Sequence, residues 1–120
     1  YCDEEETRQA IGKMYQDHNY LMDTHTAVAY KVYEDYVKET QDHTPALIAS
    51  TASAYKFAES VAFALGLEPC KDGFTYMTEL EQHTKVAIPK GLCGLEQKPI
   101  LHAGVCETDE LAHVVLDSLK

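Results

Sequence analysis

Residues 46–57 of this chain read ALIASTASAYKF, and this stretch decides which fold the sequence predicts. Four aliphatic residues lead into a turn rich in Ser and Thr, and the turn opens a helix that should end near Gly66. A buried strand that brings hydroxyl groups to the N-terminus of a helix is a common place for cofactors and anions in α/β proteins. The stretch therefore predicts an α/β fold with a strand at residues 46–49. Its binding turn would be the hydroxyl segment (residues 50–53).

Two helices should precede this strand. Asp3 is followed by three glutamates, and Glu6 stands at the capping-box position, which predicts a first helix that ends near residues 17–19. Asp23 or Thr24 should cap a second helix that closes in the polar run at residues 39–43. This second helix is expected to carry a wide apolar face, formed by Val28, Ala29, Val32, Tyr33, Tyr36 and Val37.

Shorter helices should follow the strand. One begins at about Ala54, another covers about residues 75–84, and Thr108 is expected to cap a last one. The predicted order is α-α-β-α with a tail of short helices, so the chain is mostly helical with one clear strand. Because a single strand cannot satisfy its own N–H and C=O groups, it should dock onto strands supplied from elsewhere.

Length and charge limit the number of structural units and the classes of partner that the sequence predicts. The chain has 120 residues, which suggests a single unit over residues 1–120, and ten basic against twenty acidic side chains give a net charge of -10. An acidic protein repels nucleic acids and anionic membranes, so neither is an expected partner. No apolar run is long enough for a membrane helix, and the chain opens on Tyr1 rather than Met, which suggests that it belongs to something longer.

Cysteine and histidine patterns give no metal or redox motif. The four cysteines form no CxxC pair, which favours free thiols in a cytoplasmic protein. No histidine stands at a zinc-ligand spacing from another histidine or from a cysteine, so no metal site is predicted. The six histidines concerned are His18, His25, His43, His83, His102 and His113.

The hydroxyl segment has two interpretations from its residues alone. Ser53 can simply cap the helix that follows, which would make the segment structural. Alternatively, one of its hydroxyls faces a cofactor or a phosphate group. The cap segment (residues 23–28, DTHTAV) also has two interpretations. Its polar side chains could belong to a functional site, or they could do no more than start the second helix.

Two segments together resemble the C-terminal part of threonine synthase. Residues 20–28 read YLMDTHTAV, and residues 50–57 read STASAYKF. The family carries a G-Y-L-x-D-P-H-T-A-V type segment, followed by a T-A-S/H-P-x-K-F type segment. Three positions depart from this pattern, since Asn19 stands where the family usually has Gly, and Thr24 and Ala54 stand where it usually has Pro.

The resemblance implies a pyridoxal-phosphate enzyme of the tryptophan-synthase-β-like fold (fold type II). Threonine synthase converts O-phospho-L-homoserine and water to L-threonine and phosphate in threonine biosynthesis. The resemblance also implies cofactor-binding roles for Thr51, whose hydroxyl would face the pyridine nitrogen, and for Ser53 close by. The lysine that forms the Schiff base with the cofactor would belong to an upstream part that is absent here. Lys56 is not that lysine, so no catalytic residue is predicted in this chain.

These implications define the expected partners and the alternatives. The partners would be the remainder of the same chain and the small-molecule substrate O-phospho-L-homoserine, and the fragment alone should be inactive. One alternative is a non-catalytic acidic interaction module. Another is the equivalent piece of a different pyridoxal-phosphate lyase.

Overall fold

Five α-helices and two short 3₁₀ turns form the regular structure of residues 1–101 and 104–119, the part of the chain described by a computed structural model. The elements are α1 (Glu4–His18), α2 (Thr24–Thr40), a first 3₁₀ turn (Ala54–Phe57), α3 (Ala58–Ala64), α4 (Gly73–Thr84), a second 3₁₀ turn (Leu95–Gln97) and α5 (Leu111–Ser118). None of these helices is long and apolar enough to cross a lipid bilayer.

The predicted strand at residues 46–49 is wrong, and with it the α/β fold. The structure gives these residues no regular secondary structure, and the part of the chain that it describes contains no strand at all. Leu47 is fully exposed instead of buried. A strand exists only where a neighbour completes its hydrogen bonds, and no neighbour is present among the described residues. An apolar run of four residues was therefore not sufficient evidence for a strand, and the observed fold is all-helical.

The predicted caps of the first two helices are confirmed. Asp3 and Glu6 form the reciprocal capping box of α1, with Glu6 N–H donating to Asp3 Oδ1 at 2.9 Å and Asp3 N–H donating to Glu6 Oε2 at 3.0 Å. Asp23 caps α2 by accepting from the backbone N–H groups of His25 and Thr26. An ion pair between Lys13 and Glu34 then joins α1 to α2 across a 2.9 Å Nζ–Oε1 distance.

The core is centred on α3, which packs against both α1 and α4. Ile11 of α1, Val61 of α3 and Leu80 of α4 are completely buried there. Gly66 ends α3 as predicted, since its φ of +73° allows the N–H groups of Gly66 and Leu67 to return to the carbonyl groups of Phe63 and Ala62. The helix bundle therefore positions α2 and the first 3₁₀ turn, which carry the candidate site.

Two apolar helix surfaces remain uncovered. The face of α2 leaves Val28, Val32 and Tyr36 between 38% and 48% exposed. Every residue of α5 is exposed, including Leu111 and Leu116. The expected cap of α5 at Thr108 is wrong, because the helix begins after Glu110 and no side chain caps its N-terminus.

Tyr55 ties the first 3₁₀ turn to the end of α4. The side chain is 4% exposed, and its hydroxyl donates a hydrogen bond to the backbone carbonyl of Val86. Because Val86 is partly exposed, water can solvate the carbonyl when the hydroxyl is removed. We therefore expect Tyr55→Phe to lower the free energy of unfolding by about 1 kcal/mol, as measured by urea denaturation. A loss of unfolding free energy as large as that caused by a cavity in the core would contradict the hydrogen bond assigned to the Tyr55 hydroxyl.

Candidate functional site

The cap segment and the hydroxyl segment meet in space. Ser50 Oγ donates to Asp23 Oδ2 at 3.3 Å, and Thr26 Oγ1 lies 3.1 Å from Ser50 Oγ. Thr26 also donates its hydroxyl proton to Asp23 Oδ2. The three side chains form one hydrogen-bonded cluster, which joins residues 27 positions apart in the sequence.

The Asp23 carboxylate is the buried centre of this cluster, and the whole residue is 1% exposed. Burial by itself raises the pKa of the carboxyl group. Hydrogen bonds from the Thr26 hydroxyl, the backbone N–H groups of Thr26 and His25, and the Ser50 hydroxyl outweigh burial, so the pKa lies below its ordinary value of 3.8. Asp23 is therefore ionised at neutral pH, as a buried charge with a complete set of donors can be.

A ring contact joins the cap segment to the first 3₁₀ turn. The ring centroids of His25 and Phe57 lie 4.9 Å apart with a tilt of 50°. Both residues line an open cleft of about 360 Å³ together with Thr24 and Ser60. His25 Nδ1 is also 3.7 Å from Asp23 Oδ1. His25 therefore contacts Phe57 at the edge of the cleft, although its sequence position alone left its role open.

The hydroxyls of residues 50–53 have different surroundings. Ser53 Oγ accepts from the backbone N–H of Tyr55 at 3.3 Å, so Ser53 caps the 3₁₀ turn, as its structural interpretation predicted. Ser50 is bound to Asp23. Thr51 is exposed, and no hydrogen bond or ion pair within the described part of the chain involves its side chain. Thr51 thus has the one hydroxyl of the three that is available to a ligand.

Lys56 lies at the surface beside the Phe57 ring. It is exposed, and its Nζ lies 6.0 Å from the centroid of the Phe57 ring. A lysine that a protein uses as a nucleophile usually lies in a hydrophobic pocket or beside another cationic group, and the position of Lys56 is exposed instead. Over residues 1–101 and 104–119, no group of three or more His, Cys, Asp or Glu side chains is placed to hold a metal ion, while His102 lies outside the described residues.

Comparison with known proteins identifies the family of this chain. A family model described as "Threonine synthase, C-terminal" matches residues 26–100. The chain belongs to this family. "Threonine synthase-like 1" of Mus musculus is 43% identical over 68 residues, and the human protein of the same name is 44% identical over 69 residues. Each match covers 57% of this chain but only 9% of the relative.

The three departures from the threonine synthase pattern fit the observed backbone. Asn19 closes α1 with a φ of +53°, a left-handed conformation that glycine adopts freely and asparagine tolerates better than most residues. Thr24 is the first residue of α2, and Ala54 is the first residue of the 3₁₀ turn. Proline is favoured at the first helical position, but its place can be taken by other residues. The residues present at these three positions are therefore compatible with the observed backbone.

Proposed function

We propose that this chain is the C-terminal part of a threonine synthase and that it forms one wall of a pyridoxal-phosphate site. The complete enzyme would convert O-phospho-L-homoserine and water to L-threonine and phosphate. The observation that supports this best is the free hydroxyl of Thr51, because its neighbours Ser50 and Ser53 are both held by internal hydrogen bonds. Thr51 also occupies the position that the resemblance assigns to the cofactor contact.

The chemistry of the exposed donor fits pyridoxal phosphate at its pyridine nitrogen. A hydroxyl can donate one hydrogen bond to an unprotonated ring nitrogen and carries no charge that would force the nitrogen to take up a proton. When bound, the cofactor acts as an electron sink for carbanions, and the protein tunes that property through the partner of the ring nitrogen. Thr51 would thus hold the ring in a less electron-withdrawing state than a carboxylate partner would. Ser53 would support Thr51 by fixing the turn that follows.

The remaining walls of the site would come from the rest of the protein, including the lysine that binds the cofactor aldehyde. The uncovered apolar faces of α2 and α5 support this proposal, since surfaces of this kind usually pack against other protein. The radius of gyration also supports it, because 18.5 Å exceeds the roughly 14 Å of a compact domain of this length. The partners proposed are therefore the remainder of the chain and the phosphorylated substrate.

Substitution of Thr51 in the full-length protein tests this function. We expect Thr51→Ala to shift the visible absorption of the bound cofactor and to lower kcat by about tenfold or more, since the hydrogen bond to the ring nitrogen is lost. Thr51→Asp should lower kcat further because a carboxylate favours the protonated ring. Thr51→Ser should restore both the spectrum and most of the rate.

Thr78→Ala is the matched control for these variants. Thr78 is also an exposed threonine, but its hydroxyl donates to the Phe74 carbonyl within α4. The control should leave the absorption spectrum and kcat unchanged. A normal spectrum and a normal rate for Thr51→Ala would contradict the proposed cofactor contact.

A further inference from the structure

We infer that Asp23 is a positioning residue for Thr51, which it holds in place through the Ser50 hydroxyl. The inference deepens the proposed function and rests on it, because it assumes that Thr51 contacts the cofactor. It assigns a role to Asp23, Thr26 and Ser50. The sequence predicted a cap for Asp23, placed Ser50 among the hydroxyls that could face a cofactor, and left the role of Thr26 open.

The two oxygens of Asp23 have separate roles. Oδ1 accepts from the backbone N–H groups of His25 at 2.9 Å and Thr26 at 3.2 Å, and these two bonds are all that a helix cap requires. Oδ2 accepts from the side chains of Thr26 and Ser50 instead. The second oxygen therefore connects α2 to a distant part of the chain, which capping alone does not explain.

Ser50 is an effective anchor because the chain before it has little other support. Residues 41–53 lie between α2 and the first 3₁₀ turn without regular secondary structure. Among the described residues, the side chains of residues 45–52 form hydrogen bonds only through Ser50, which contacts Asp23 and Thr26. Thr51 directly follows this anchor and is itself exposed. The position of its backbone is thus set by Ser50 on one side and by the Ser53 cap on the other.

The ionised carboxylate suits this task better than an amide. Asp23 receives four donors, and an ionised carboxylate is acceptor-only, with enough lone pairs for all of them. Asparagine has one acceptor oxygen, and its NH₂ group would face the hydroxyls of Thr26 and Ser50. A charged acceptor also makes a stronger hydrogen bond than a neutral one, which favours the carboxylate over an amide as the partner of Ser50.

Asp72 is a helix cap that makes no hydrogen bond to a distant part of the described chain. It caps α4 with the same residue types, accepting from the backbone N–H of Thr75 at 2.9 Å and from the Thr75 hydroxyl at 3.2 Å. Asp72 is exposed, however, and its hydrogen bonds stay within its own helix start. It therefore provides a matched control for the role assigned to Asp23.

The test compares Ser50→Ala, Asp23→Asn and the control Asp72→Asn in the full-length protein with pyridoxal phosphate as the probe. Ser50→Ala removes the anchor but leaves the α2 cap intact, so it avoids the folding defect that Asp23→Asn risks. We expect Ser50→Ala and Asp23→Asn to weaken cofactor binding about tenfold and to shift its visible absorption in the direction of Thr51→Ala. Ser50→Thr keeps the hydroxyl and should restore the spectrum. Asp72→Asn should leave both quantities unchanged.

The outcomes separate the inference from the proposed function. A spectral shift in Thr51→Ala with none in Ser50→Ala would overturn the positioning role and leave the cofactor contact standing. Equal shifts in Asp72→Asn and Asp23→Asn would also overturn it, because the effect would then be one of capping. No shift in Thr51→Ala would overturn the proposed cofactor contact, and the positioning role with it.

Discussion

Replacing Gly12 by valine is expected to lower the free energy of unfolding by about 3 kcal/mol, because α1 and α3 touch at this position. Gly12 is buried, and a Cβ built on it would lie 2.6 Å from the backbone carbonyl oxygen of Ala64. The obstacle is backbone rather than a flexible side chain, so the helices must separate to relieve it. Separation would in turn expose the core around Ile11 and Val61. Urea denaturation of the full-length protein, followed by hydrogen exchange in α1 and α3, would measure and locate the loss.

Gly73→Ala is the control for this prediction. Gly73 begins α4, and a Cβ there would meet no atom within 4 Å. Alanine is the better helix former, so this change should be neutral or stabilise the protein by up to about 1 kcal/mol. Similar losses for Gly12→Val and Gly73→Ala would contradict the close approach of α1 and α3.

Asp23→Ala should be nearly as damaging, with a loss of about 2–4 kcal/mol. The variant removes the cap of α2, and it also leaves the buried hydroxyl of Thr26 without its carboxylate acceptor. A buried donor that loses its partner keeps the full penalty of desolvation. Asp72→Ala removes only an exposed cap and should cost clearly less. Equal losses for the two alanine variants would contradict the buried cluster at Asp23.

The same carboxylate predicts a pH dependence of stability. The hydrogen bonds to Asp23 lower its pKa in the folded protein below the ordinary value of 3.8, so the unfolded chain takes up the proton more readily. Its contribution to stability is therefore complete well above pH 3.8 and is lost as the pH falls through the lower pKa of the folded state. Urea midpoints measured from pH 6 down to about pH 2 should fall more steeply for the natural protein than for Asp23→Ala. Parallel curves would exclude Asp23 as a source of acid sensitivity.

Local signals in the sequence predicted local structure well. The capping box of Asp3 and Glu6, the cap at Asp23 and the stop at Gly66 each depend on a few neighbouring residues, and the structure confirms all of them. The strand at residues 46–49 depended on partners elsewhere, which a pattern of four aliphatic residues does not reveal. The predicted cap at Thr108 was wrong. A Thr that precedes a helical pattern shows only where a helix can begin, and α5 begins at Leu111.

The contact between the two segments of the candidate site could not be predicted from the sequence. The two segments could be recognised one by one, but the hydrogen bond between Ser50 and Asp23 spans 27 residues and leaves no periodic pattern. One signal was available: the hydroxyl segment offers more hydroxyls than one cap needs, and the cap segment contains Thr26 three residues after Asp23. Their pairing became visible only when the fold brought α2 beside the first 3₁₀ turn.

Turnover of O-phospho-L-homoserine by the full-length protein with pyridoxal phosphate tests the central claim most directly. The proposed function predicts that phosphate and L-threonine form in equal amounts, that both depend on the cofactor, and that Thr51→Ala slows both together. Phosphate release without threonine would assign the chain to a different pyridoxal-phosphate lyase. Release of neither product by protein that has bound the cofactor would contradict a threonine synthase and favour a non-catalytic interaction module.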